Sequence, residues 1–273
     1  MKKLTTVAIQ SVLAMFGFSD AASAALCTDF YDFTGTQYTD DFTDVRRGGR
    51  IDGDGAYDLG GTGHTALNFS GQAGASGDTW LTKWTPGAAP GIFNGRCGTT
   101  VAATVLIHPF DNRKGAGLVA LLNDANPGDK GLALILYDNG NSDAFQLAII
   151  DPFTGKLAHL KSGPVVAPIK ENAWYVVFME LAVELAFEGH TLIVDAGVLS
   201  LVDPTDPNSD FDRPVAALRF KGQLEATGLE RQGQVGIVAA AVNTVVDSSV
   251  TNWFAAEGFE GPCSEELAGA TRP

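Results

Sequence analysis

Between Met179 and Phe187 the chain alternates strictly, apolar Met179, Leu181, Val183, Leu185 and Phe187 interleaving with Glu180, Ala182, Glu184 and Ala186. A period of two is what an extended strand imposes when one face is buried, because successive side chains leave the backbone on opposite sides. Glu188-Gly189-His190 then supplies a turn, and Leu192, Val194, Ala196 and Val198 resume an apolar row. Together the rows predict a long antiparallel hairpin. A helix competes for its first half: Trp174, Val177, Phe178, Leu181 and Leu185 fall at helical spacing, and Met, Glu, Leu and Ala are good helix formers. The segments on either side, residues 144–150 and 191–199, are rich in β-formers, and the alternation runs unbroken, so the strand is preferred.

Short apolar runs recur along the rest of the chain, at residues 99–108, 117–122, 131–137, 144–150, 156–160, 216–222, 234–242 and 249–256. Turn clusters such as Asn126-Pro127-Gly128-Asp129 and Asp138-Asn139-Gly140-Asn141 separate them. Residues 25–98 are turn-rich, with a glycine-rich stretch at 48–63 and a loop-like stretch at 71–98 that embeds Trp80 and Trp84. About a dozen short strands at this spacing predict an all-β, two-sheet antiparallel sandwich, a single domain over 25–273.

Three segments carry a family resemblance: Asn172-Ala173-Trp174-Tyr175, Gly233-Gln234-Val235-Gly236-Ile237 and Ser249-Val250-Thr251-Asn252-Trp253-Phe254. In this order around the central hairpin they resemble the concanavalin A-like jelly rolls, which include laminin-G-like modules, legume-type lectins and one clan of β-glucanases. The resemblance covers residues 99–256, with Asp40-Asp41-Phe42 as a first strand. It implies two curved sheets packed face to face, with sugars or cations met at the concave face or rim.

At the N-terminus, Lys2 and Lys3 precede an apolar stretch at 7–18 and a small-x-small site, Ala22-Ser23-Ala24. That is the pattern of a signal peptide cut after Ala24, and the run is too short to span a bilayer. Leu26 before Cys27 is too large for a lipoprotein signal. The mature chain is expected to be exported and soluble, extracellular or periplasmic according to the cell envelope. Cleavage removes two lysines and one aspartate, leaving 16 basic against 31 acidic residues. Such a surface repels phosphate backbones and anionic lipid, which argues against a nucleic-acid partner. Three cysteines in an exported chain suggest one disulfide and one leftover thiol. Cys27–Cys263 is the preferred bond, because the ends of a sandwich whose first and last strands pair lie together; Cys97 leaves two other pairings open.

No glutamate has an aspartate two positions on, so the Glu-x-Asp-x-x-Glu signature of the β-glucanases is absent. Glu180 and Glu184 on one strand would stand roughly 13 Å apart, too far for a glycosidase pair. Setting Phe187 opposite Leu192 places Glu184 opposite Asp195, an alternative carboxylate couple for acid and nucleophile. The hydrolase elbow, the phosphate loop and the His-Glu-x-x-His motif are missing, and His64, His108, His159 and His190 lack metal-ligand spacing. Asp203, Asp206, Asn208, Asp210 and Asp212 crowd oxygen ligands into a proline-stiffened loop that could hold Ca2+, and Asp52-Gly53-Asp54 is a shorter candidate. Trp80, Trp84 and Tyr137 with Asp138 offer aromatic and polar groups beside loops for a glycan. The expected function is a secreted, non-catalytic module binding a glycan or extracellular polymer; the alternatives are a carbohydrate-active hydrolase or lyase and a structural or adhesive surface protein.

Overall fold

The computed structural model describes residues 31, 41–46, 50–51, 67–68, 79–86, 91–107, 114–138, 143–170, 172–187, 189–241 and 248–257. Among them run β1 (Phe42–Arg46), β2 (Arg50–Ile51), β3 (Leu67–Asn68), β4 (Thr79–Trp84), β5 (Ile92–Asn94), β6 (Thr99–Ile107), β7 (Lys114–Leu122) and β8 (Gly131–Asp138). They continue with β9 (Ala144–Ile150), β10 (Leu157–Gly163), β11 (Trp174–Ala186), β12 (Gly189–Leu201), β13 (Phe211–Gln223), β14 (Gln232–Ala241) and β15 (Ser248–Glu257). One sheet has the order β1-β4-β14-β7-β8-β9-β10, with β5 also on β14, and the other the order β13-β12-β11-β6-β15-β3-β2. The fold is an all-β jelly roll of two antiparallel sheets, as the strand pattern predicts, with concanavalin A-like topology. Among the described residues no helix is long and apolar enough to cross a membrane.

Alternation decides which side chains meet between the sheets. Val177, Met179, Leu181 and Val183 of β11 and Leu192, Val194, Ala196 and Val198 of β12 face inward onto Leu118, Leu134, Leu147 and Ile237 of the other sheet. A helix would have scattered these rows around a cylinder, whereas the sandwich buries each on one plane. Trp253 and Trp84 close one end of this core with Tyr31, Phe42 and Phe93, ring centroids lying 5.0–6.4 Å apart. The Trp84 indole N–H donates to the Tyr31 hydroxyl at 3.0 Å, which donates to Asp41 at 2.8 Å.

Each sheet also carries apolar side chains on its outward face. Behind β11 and β12, Trp174, Val176, Phe178, Leu199 and Leu201 form a second cluster. The loop after β12 is tied to it: the Trp174 N–H donates to the Pro204 carbonyl at 2.8 Å, and the Asn252 amide donates to the Pro207 carbonyl at 2.8 Å.

Two expectations need correcting. Residues 71–98 are not loop throughout, since 79–84 and 92–94 are strands and β4 lies between β1 and β14. Its alternation is hard to read because both faces are covered: Thr82 and Trp84 turn inward, while Leu81 joins an outward cluster with Val119, Ile135 and Val238. The hairpin reverses earlier than its sequence suggests. Ala186 pairs with Gly189, so Glu184 lies opposite Thr191, and Glu180 lies opposite Asp195. Gly189, at φ 122°, permits the tight reversal that only glycine accommodates readily.

Candidate functional site

The most exposed apolar group among the described residues belongs to this hairpin. β6 accompanies β11 only as far as the pair Leu181–Thr99, and Val183 is still sheltered by Gly95. Beyond that point the inward row continues into solvent: Leu185 is 77% exposed and the Phe187 ring is fully so, at 105%. The expectation that both residues extend the core row fails for this reason. Alternation fixes which face a side chain takes, and the length of the neighbouring strand decides whether anything covers it.

On the other side of the hairpin β13 pairs with β12 up to Gln223–Thr191. A single helical turn, Leu224–Thr227, follows, held by buried Leu224 and ended by Gly228 in the left-handed region. This turn brings Glu225 to the hairpin tip. Its carboxylate accepts from the His190 backbone N–H at 3.0 Å and lies 2.9 Å from the imidazole Nδ1. On the far side of the ring, Arg231 Nη1 stands 3.4 Å from Nε2. A guanidinium can only donate, so a hydrogen bond from Arg231 requires Nε2 as its acceptor, and the tautomer that allows it carries its proton on Nδ1, toward Glu225. The bond from His190 holds the Glu225 carboxyl below its usual range, with local backbone N–H groups adding to the effect. Gly189 also leaves room for this carboxylate: a Cβ would stand 3.1 Å from the Glu225 oxygens, which would have to shift by a few tenths of an ångström. The result is an open recess lined by Ala186, Phe187, Gly189, His190, Thr191 and Gln223, bordered by an acid and a base.

The residues singled out from the sequence are distributed differently. Trp84 and Tyr137 are buried strand residues, Trp80 is half-buried against the core, and Asp138 ends β8 half-buried. All three aromatics stand on strands, Trp84 and Tyr137 at or next to a strand end; burial pushes the Tyr137 phenol well above its ordinary range. Glu184 is exposed and faces Thr191, so the couple with Asp195 is not formed. Asp195 instead has Glu180 on one side and Arg219 on the other, 3.5 Å away, and burial raises its carboxyl against the pull of that guanidinium.

In the acidic loop the oxygens serve local turns. Asp203 accepts from the Thr205 N–H and hydroxyl at 2.9 and 2.7 Å, Asp206 from the Asn208 N–H at 2.9 Å, Asn208 from the Asn252 amide at 3.3 Å, and Asp212 from the Ser200 hydroxyl at 3.3 Å. Asp210 is exposed. Among the described residues no three His, Cys, Asp or Glu side chains converge as a metal site would require. Asp52, Asp54, Cys27 and Cys263 lie outside the described residues.

Phe187, His190, Glu225 and Arg231 were not legible together beforehand. The available signal was Phe187-Glu188-Gly189, in which glycine closes a two-residue reversal and leaves an aromatic at the bend. Nothing local to Glu225 or Arg231 points to His190, some forty residues away in sequence.

No known family model and no curated protein matches the chain. Its fold is similar to several solved structures. An engineered GH43 glycoside hydrolase with endo-xylanase and exo-arabinofuranosidase activity shares 14% identity, with 87% of this chain, 42% of the hydrolase and a TM-score of 0.47. The chain thus spans less than half the length of that enzyme. Lectin II from Ulex europaeus shares 12% identity over 86% of this chain and 99% of the lectin, TM-score 0.48. A Bacillus subtilis protein of unknown function with a galectin-like fold shares 11% identity over 88% and 99%, TM-score 0.49. Likeness at this level concerns the fold, and such folds host unrelated activities, so function must be argued from side chains.

Proposed function

We propose that this is a secreted, non-catalytic β-sandwich module that binds a glycan or cell-surface polymer, and that it does so at the tip of the β11–β12 hairpin. The observation that carries the reading is Phe187, a fully exposed ring beside a recess with hydrogen-bonding walls. Leaving such a ring in water forgoes about 1.5–3 kcal/mol of burial. A sugar's C–H face can cover the ring while its hydroxyls meet His190, Thr191 and Gln223, the division of labour expected of an apolar site with a few placed polar groups. The test is co-sedimentation with a panel of insoluble polysaccharides. Phe187→Ala is expected to weaken binding about 10- to 100-fold, the loss of that burial, with the melting temperature unchanged. Binding that is indifferent to Phe187→Ala would remove the tip from consideration.

One observation favours a second reading, hydrolysis. Glu180 and Asp195 face each other across β11 and β12, a placement that sets β-carbons roughly 4.5–5.5 Å apart and brings two carboxylates to one face of the sheet. Release of reducing ends from the same panel, abolished by Glu180→Gln, would establish it.

A further inference from the structure

The outward face of the sheet formed around β14 holds a polar patch within its apolar surroundings. Gln234 is only 6% exposed, and its side-chain nitrogen has no hydrogen-bond partner among the described residues. A buried amide left in that state costs about 1–3 kcal/mol, so it needs a reason. Its surroundings follow from strand register. Gln234 pairs with Ile92 on one side and Leu122 on the other, and Gly236, two residues along the same face, pairs with Lys83 and Val119. The Lys83 ammonium donates to both oxygens of Asp124, at 2.9 and 2.7 Å, and the two side chains are 19% and 20% exposed. The adjoining Asn123 amide donates to the Gln232 carbonyl at 2.9 Å. Residues 123–124 are therefore fastened beside β14 at both ends of the step that contains Gln234.

We propose that Lys83, Asp124 and Gln234 form a second binding subsite, separate from the hairpin tip, for adjacent hydroxyls such as the vicinal diol of a sugar ring. The carboxylate accepts from hydroxyls, while the ammonium and amide donate to their oxygens. Gly236 lets the β4 backbone approach closely beside Lys83: a Cβ there would lie 2.0 Å from the Thr82 carbonyl oxygen, so only glycine fits at that position. Ile92, 52% exposed, provides an apolar rim for C–H groups. Gln234 lies one strand step, about 6–7 Å, from the residue facing Lys83. The Lys83–Asp124 pair is only about a fifth exposed and is bonded through both carboxylate oxygens, so it stays formed, and ligand hydroxyls bond to the lone pairs and N–H groups that the pair leaves free.

The ligand class rests on the glycan reading above, but the residues are different, and one titration separates the two. The methyl glycosides of glucose, galactose and mannose are added to the labelled protein while the Gln234 side-chain amide, identified by its loss in Gln234→Leu, is followed by NMR. A saturable shift is expected with at least one glycoside, its apparent Kd weakened about tenfold in Asp124→Asn and in Lys83→Met. Silence at Gln234 while the Phe187 ring signals move overturns this subsite and leaves the tip standing. Silence at both overturns both. A shift at Gln234 that persists unchanged in Asp124→Asn overturns the role of the pair. If Gln234→Leu raises the melting temperature and glycoside shifts at Lys83 are unaltered, Gln234 is only a buried orphan and the subsite falls.

Discussion

Asn252 offers the sharpest test of how the acidic loop is held. It sits in β15 at φ 52°, in the left-handed region, where a residue with a Cβ is strained by roughly 1–2 kcal/mol and Asn is among the best tolerated. Its amide donates to the Pro207 carbonyl at 2.8 Å and to the Asn208 side-chain oxygen at 3.3 Å, fastening the loop over Trp174 and its cluster. Asn252→Ala removes these bonds and the longer one to the Thr104 hydroxyl at 3.5 Å, leaves the buried Pro207 carbonyl short of a donor, and keeps a Cβ in the strained conformation. The lost bonds and the desolvated carbonyl amount to about 2–4 kcal/mol; the left-handed strain is already present in the wild type and adds only the margin by which Asn tolerates it better than Ala. Asn252→Gly loses the same bonds but relieves the backbone, so its cost is about 1 kcal/mol smaller. At an ordinary strand position the order is reversed, glycine being worse than alanine by roughly 0.5–1 kcal/mol. Urea unfolding with linear extrapolation reads the difference directly. The expected order of stability is wild type, then glycine, then alanine. Alanine equal to or better than glycine would refute the strain argument, and both within about 0.5 kcal/mol of wild type would refute the tether.

Three further outcomes follow from the same geometry. Glu257 is buried and accepts from the Asn94 N–H at 2.6 Å; burial raises its carboxyl, and that bond opposes the rise only in part. A raised folded value disfavours the ionised form, so Glu257's contribution to stability is intact below its unfolded value and lost as pH rises through the folded one. Glu257→Gln should therefore be more stable than wild type at neutral pH, with the gap closing below about pH 4.5; a gap independent of pH would contradict this. Gly189→Ala should cost about 1–2 kcal/mol and detach Glu225 from His190, visible as a changed His190 imidazole nitrogen signal. Calcium binding by residues 203–212 would require Asp203 and Asp206 to exchange their turn hydrogen bonds for the ion, and a rise in melting temperature at millimolar calcium is the observation that would show it.

What the sequence by itself determined is the alternation. Met179 to Val183 and Leu192 to Val198 form inward rows once the segment is extended, because a two-residue period has only one way to bury one face, while residues 131–137 and 144–150 show as strands through short apolar runs bounded by turn clusters. Register lay beyond it. The apolar rows of β11 and β12 align equally well when slid by an even number of residues, and the reversal at Ala186–Gly189 selects the alignment that faces Asp195 with Glu180 instead of Glu184. Exposure lay beyond it too: Phe187 continues the pattern that buries Val183, but β6 has already ended. The meeting of His190 with Glu225 and Arg231, and of Lys83 on β4 with Asp124 in the turn after β7, was decided only by the tertiary structure. Those contacts join residues that no local period relates, and strand order, strand length and turn geometry bring them together.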